Sequence, residues 1–229
     1  MELKTLGIYG PYPKAGGSAC SSYLVRTASA KLVLDFGAGA LTRLTAEEDV
    51  GSVDAIILSH THFDHVSDML PLTYLMEMRP GKLKVYLPKT EDNWYLKLLN
   101  TACFEAHEVE AGDKAEINGA LVEFFPAKHT VPTLGIKISE GGKSLYYTGD
   151  TVWFDELSEY VRGADTVLAD AAKPLGFKGP HMSYDKAFLL KEASGGKVIL
   201  THLSPDFDPS PALDDKDIEV AKEGKVYFV

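Results

Sequence analysis

Five short apolar runs in this chain end, on their carboxyl side, in residues suited to hold a metal or a proton. Lys31-Leu32-Val33-Leu34 runs into Asp35, Ala55 to Leu58 into Ser59-His60, and Leu145-Tyr146-Tyr147 into Thr148-Gly149-Asp150. Thr166 to Ala169 meets Asp170, and Lys197 to Leu200 meets Thr201-His202. Each run is strand-length and bounded by Gly or polar residues, the pattern of a buried strand. In α/β sheets, ligands bind outside the carboxyl ends of strands, so the repetition predicts that these polar residues converge on one edge.

Helical patterns alternate with the strands. Asp68 to Met78 has amphipathic spacing with Pro80-Gly81 as its stop, Trp94 to Ala102 is a second helix, and Tyr184 to Glu192 a third, followed by Gly195-Gly196. Between residues 105 and 147 the pattern changes to hairpin strands with Gly turns, around Asn118-Gly119 and Gly141-Gly142. Strand clusters with outer helices predict two packed sheets covered by helices. No long linker, low-complexity segment or strict repeat interrupts residues 1–229, which read as one domain.

Composition narrows the function. Hydrophobic residues make up 45% of the 229, enough for a sizeable core. The 23 basic residues against 33 acidic ones give a net charge of −10. That balance argues against a general polyanion-binding surface, because phosphate backbones are held mainly by Lys and Arg. The N-terminus, M-E-L-K-T-L-G-I-Y-G, reads as a first strand and not as a signal peptide, and no apolar stretch is long enough to span a membrane. Cys20 and Cys103 read as two buried thiols of a cytoplasmic protein.

The chemistry concentrates at residues 59 to 65, S-H-T-H-F-D-H, which hold three of the chain's seven histidines. Imidazole and carboxylate suit zinc, iron and manganese. His60 and His62 are two apart and share a side in extended backbone, whereas Asp64 and His65 can face a second point. Four side chains are too few to complete two sites, so the remainder must come from elsewhere. His129, Asp150, His181 and His202 are the candidates, and Asp150 and His202 gain weight by following strands. His107, in E-A-H-E-V-E, reads as solvated surface.

H-T-H-F-D-H resembles the H-x-H-x-D-H signature of the metallo-β-lactamase superfamily, and His129, Asp150 and His202 follow in that family's order. L-V-L-D-F-G-A-G resembles its early strand and turn, and T-H-L-S-P its last ligand loop, so the resemblance covers nearly the whole chain. It implies an α/β fold, a four-layer αββα sandwich of two mixed β-sheets. It also implies two divalent ions, zinc first among the options and manganese or iron next. His60, His62 and His129 would hold the first, Asp64, His65 and His202 the second, and Asp150 would bridge them. Hydrolysis would then proceed through a metal-bridging hydroxide, with Asp64 in a catalytic as well as a ligand role. Asp35 would either support the ligands or cap the turn before Gly37.

The segment around His181, H-M-S-Y-D-K, resembles the tRNase Z and phosphodiesterase branch. There the histidine is no metal ligand but acts on the leaving oxygen or the phosphate, which makes His181 a catalytic candidate as general acid. The long tRNA-gripping arm of tRNase Z has no counterpart, since His129 and Asp150 are only 21 positions apart. The expected substrate is a small or cyclic phosphodiester, with tRNA 3′ processing the alternative and RNA binding disfavoured. Thioesterases, lactonases and mononuclear-iron sulfur dioxygenases share the fold and are weaker alternatives. A homodimer is a further expectation. Phe63, Trp153, Phe154 and the loop Gly176-Phe177-Lys178-Gly179 could shape a pocket. Lys173 and Lys178 are the nearest positive charges in sequence to His181 and could meet a phosphate, but such lysines are more often solvated.

Overall fold

A computed structural model describes residues 1–91, 94–99 and 103–229. The first sheet contains β1 (Glu2–Gly7), β2 (Ser22–Arg26), β3 (Lys31–Leu34), β4 (Ala55–Ile57), β5 (Leu83–Pro88) and β6 (Phe104–Val109). The second contains β7 (Lys114–Ile117), β8 (Ala120–Pro126), β9 (Leu134–Glu140), β10 (Lys143–Tyr147), β11 (Thr166–Asp170), β12 (Lys197–Thr201) and β13 (Ile218–Val220). A last strand, β14 (Val226–Phe228), returns to the first sheet beside β1.

Both sheets are mixed. Their orders are β14-β1-β2-β3-β4-β5-β6 and β13-β12-β11-β10-β9-β8-β7. Strands β3 to β6 pair in parallel, as do β10 to β13, and the other neighbours are antiparallel. Parallel neighbours release the chain at the same end, so β3 and β4 in one sheet and β10, β11 and β12 in the other bring all five polar strand ends together. The expected convergence is thus a consequence of register.

The period-two alternation of strands explains the layers. In β3, Leu32 and Leu34 join the core between the sheets while Val33 packs on the outer side, and in β4 Ala55 and Ile57 face inward while Ile56 faces out. That outer side is covered by α1 (Ala40–Glu47), the one-turn α2 (Phe63–Val66), α3 (Met69–Glu77) and α4 (Trp94–Leu99), through Leu44, Val66, Leu72, Met76 and Tyr95. On the second sheet, α5 (Leu157–Tyr160) and α6 (Lys186–Ser194) contribute Leu157, Ala187 and Leu190. The αββα arrangement read from the sequence is therefore observed.

Two expectations are not met as read, and a third falls partly outside the described residues. The described part of the second helix is Trp94–Leu99, and its expected continuation to Ala102 lies outside the described residues. α6 starts at Lys186, two residues after the expected Tyr184, whose backbone N–H instead bonds the carbonyl of Lys173 at 2.9 Å. The strand-rich stretch from 105 is also not all hairpin, because its first strand, β6, pairs with β5 in the other sheet. The two hairpins are β7–β8, turning at Asn118 (φ 48°) and Gly119 (φ 90°), and β9–β10, turning at Gly141 (φ 60°) and Gly142 (φ 78°). Consecutive positive φ values match the right-handed twist of hairpin strands and favour Asn and Gly.

Candidate metal centre

The S-H-T-H-F-D-H loop leaves β4 in extended backbone and turns into α2 after His62 (φ −67°, ψ 148°). His60 and His62 therefore share one side, and the helical turn presents Asp64 and His65 to a second point. His60 Nε2 and His62 Nδ1 lie 3.0 Å apart, and His129 Nε2 lies 3.2 Å from His62 Nδ1. Around the second point, His202 Nε2 is 3.1 Å and His65 Nε2 3.5 Å from Asp64 Oδ2. Asp150 Oδ2 belongs to both groups, at 3.7 Å from His60 Nε2, 3.3 Å from His65 Nε2 and 3.2 Å from His202 Nε2.

The structure thus brings all seven sequence-predicted ligands into two groups, His60-His62-His129-Asp150 and Asp64-His65-Asp150-His202, in each of which the candidate ligand atoms lie within 4.8 Å of one another. Two atoms each about 2.1 Å from a tetrahedral zinc are separated by roughly 3.4 Å, close to these spacings. His65 Nε2 and Asp150 Oδ1 are buried without a hydrogen-bond partner. Buried polar atoms are rarely left so, and a cation between the groups would satisfy them. The donors are nitrogen and oxygen with no thiolate, a set suited to zinc, manganese or iron. The residues fit divalent metal.

Outer partners hold the candidate ligands in place. Asp35 accepts from Ser59 N at 2.6 Å, Ser59 Oγ at 2.8 Å and Tyr147 Oη at 2.7 Å, and its Oδ2 lies 2.7 Å from His65 Nδ1. Its partners include the candidate ligand His65 and Ser59 beside the candidate ligand His60. Ser59 Oγ lies 3.0 Å from His60 Nδ1, and the Pro180 carbonyl 3.0 Å from His129 Nδ1. Hydrogen bonds of this kind would fix the tautomer presented to a metal. Asp35 (φ 54°) and His202 (φ 56°) adopt left-handed backbone, uncommon outside glycine and concentrated at functional sites. A Cβ on Gly10 would fall 2.0 Å from His202 Nε2, so only glycine lets that loop lie against the ring.

The two groups differ electrostatically. Burial depresses the pKa values of His60, His62 and His129, so these imidazoles are neutral and ready to ligate. Burial would also depress His65, but Asp150, Asp35 and Asp64 outweigh it and hold the group well above its usual value. His202 is raised in the same way, against burial, by Asp150 and Asp64.

His181 stands beside the second group. Its ring stacks on His202 with centroids 4.8 Å apart, and its Nδ1 lies 2.7 Å from Asp170 Oδ2. Asp170 also accepts from Thr151 N at 3.1 Å. Asp170 was visible in the sequence as a polar strand end, but its pairing with His181 was not.

Other expectations are corrected. Lys173 is 4% exposed and not solvated: its Nζ lies 3.1 Å from Ser204 Oγ. Lys178 is exposed, as expected. Phe154 is buried, whereas Phe63 (73% exposed) and Phe177 (42%) flank the site, Phe177 with its ring 6.2 Å from that of His181. His107 is only half exposed and stacks on Tyr86 at 4.8 Å, because β6 places it against the neighbouring strand. Cys20 and Cys103 are both buried with no disulfide between them, and burial pushes the Cys20 thiol up to about 11. No helix among the described residues is long and apolar enough to cross a membrane.

Fold and site together define a hydrolase of metallo-β-lactamase fold with a His/Asp metal site. Residues 33–203 match the Beta-lactamase superfamily domain, and the chain belongs to that family. It is 26% identical to the probable metallo-hydrolase YhfI of Bacillus subtilis over 99% of both chains. The crystal structure of YhfI superposes with a TM-score of 0.91 over 99% of this chain and 98% of that one, at 23% identity. A ribonuclease Z of Methanopyrus kandleri is 33% identical, covering 91% of this chain and 89% of its own length. A diphosphatase of the PhnP family shares the fold, with a TM-score of 0.75 at 21% identity over 100% of this chain and 97% of that one.

Proposed function

We propose that this protein is a two-metal phosphodiesterase acting on small phosphodiesters, cyclic ones among them. The observation that carries this reading is the Asp170–His181 pair, 2.7 Å apart, at the edge of a cluster suited to two cations. His60, His62 and His129 would hold one ion and Asp64, His65 and His202 the other, with Asp150 shared. Divalent ions bound there supply a water of lowered pKa and neutralise charge on a phosphoryl group, zinc being the first choice and manganese or iron the next.

The chain's own residues do the rest. Asp170 holds the Nδ1 side of His181 at 2.7 Å, which turns Nε2 outward. His181 can then deliver a proton to a departing alkoxide, a step that thioester and β-lactam cleavage need less. Its side chain is 15% exposed, so substrate can reach it. Asp64, held by His202, orients the second ligand group.

Small substrates are favoured by the architecture. Only the β9–β10 hairpin and its flanking turns separate His129 from Asp150. The net charge of −10 also disfavours steering of a large polyanion. The 33% identity to a ribonuclease Z over 89% of that protein supports a second reading, tRNA 3′ processing. The test is a hydrolysis panel of metal-loaded protein on phosphodiesters, thioesters, lactones and β-lactams. Turnover confined to phosphodiesters is expected, and a thioester or lactone as the best substrate would overturn the proposal.

A further inference from the structure

Lysine is among the residues most rarely buried, because its ammonium loses water that the interior seldom replaces. Lys173 is nevertheless 4% exposed and forms no ion pair among the described residues. Its Nζ reaches Ser204 Oγ at 3.1 Å and the carbonyl of His202 at 3.5 Å. His202 is the candidate ligand held in left-handed backbone, φ 56°. Such a backbone persists only where its surroundings hold it, and a cation drawn to the His202 carbonyl is such a hold.

The same residue grips the segment of His181. Lys173 N donates to the Met182 carbonyl at 3.3 Å, and Tyr184 N donates to the Lys173 carbonyl at 2.9 Å. Its backbone therefore fixes the residues just after His181 while its side chain fixes those at and after His202. The two imidazoles it ties together stack at 4.8 Å.

We propose that Lys173 is a positioning residue that clamps the His202 loop to the His181 segment, so that His202 is preset to ligate the second metal. The inference rests on the ligand assignment proposed above. Lys173 touches neither the reacting atoms nor the ion and acts through His202.

The test is zinc binding, measured by competition with a chromophoric chelator, to the folded wild type, Lys173→Met and Lys173→Arg. In K173M the first equivalent should bind as in wild type, and the second should weaken by about 10- to 100-fold, the usual effect of removing an outer partner of a ligand. K173R, which keeps the charge and donors, should recover part of that loss. Unchanged second-site affinity in folded K173M would overturn the proposal, as would equal weakening of both equivalents. If K173M does not fold, Lys173→Gln takes its place, with the same expectation and the same contradicting results. A wild type that binds only one equivalent would instead refute the ligand assignment, which keeps the two failures apart.

Discussion

Asp170 Oδ2 lies 2.7 Å from His181 Nδ1, although eleven positions and a turn separate the two residues along the chain. β11 ends at Asp170, and the loop that follows folds back to lay His181 over the same strand end. The pair places an imidazole next to a metal-suited cluster, outside the two candidate ligand groups described above.

His181→Ala should therefore keep the metal content of the wild type and lose roughly 100- to 10,000-fold in turnover. The defect should shrink for diesters with nitrophenolate leaving groups, which need no proton. Asp170→Asn should give a smaller loss with the same dependence on leaving group. Equal losses for all leaving groups would assign His181 to phosphate positioning instead.

Metal uptake should depend on pH, and differently for the two groups. His60, His62 and His129 lie below their usual pKa and are already unprotonated near neutrality, so the first equivalent should bind with little proton release. His65 and His202 lie above it and so hold their protons to higher pH than an ordinary histidine, and a second ion must displace them. Second-site affinity should therefore rise as pH climbs past the ordinary histidine range and fall as pH drops. Calorimetry in buffers of different ionisation enthalpy reads the released protons directly, and equal release in the two steps would contradict the assignment.

Asp35 ties the sheets together beneath the site, since Tyr147 on β10 donates to it from the second sheet at 2.7 Å. Asp35→Ala leaves His65, Tyr147 and both Ser59 donors without their shared acceptor. It should destabilise the fold by about 3–5 kcal/mol, as removal of one partner from a buried ionic network does. Tyr147→Phe removes a single bond and should cost about 1 kcal/mol. Urea denaturation of the metal-free proteins gives both values, and similar small losses would show that the network contributes little.

The candidate ligands were legible in the sequence in two ways: H-T-H-F-D-H declares itself by local spacing, whereas His129, Asp150 and His202 came from their order in the family resemblance, with Asp150 and His202 also following strands. Strand positions were legible because apolar runs bounded by turn residues have few other uses. What the sequence did not show depends on how loops fold back. Nothing local pairs Asp170 with His181. Lys173 read as solvated because lysines usually are, and only the fold brings the His202 loop and the segment after His181 against it. Likewise β6 looked like part of a hairpin because strand pattern does not say which sheet a strand joins.

The central claim is that the site serves small phosphodiesters. Its most direct test compares catalytic efficiency on a small cyclic phosphodiester with that on a precursor tRNA bearing a 3′ trailer, with zinc and manganese each supplied. Efficient hydrolysis of the diester and poor cleavage of the tRNA are expected. Efficient, site-specific cutting after the tRNA discriminator base, with little turnover of the diester, would contradict the account.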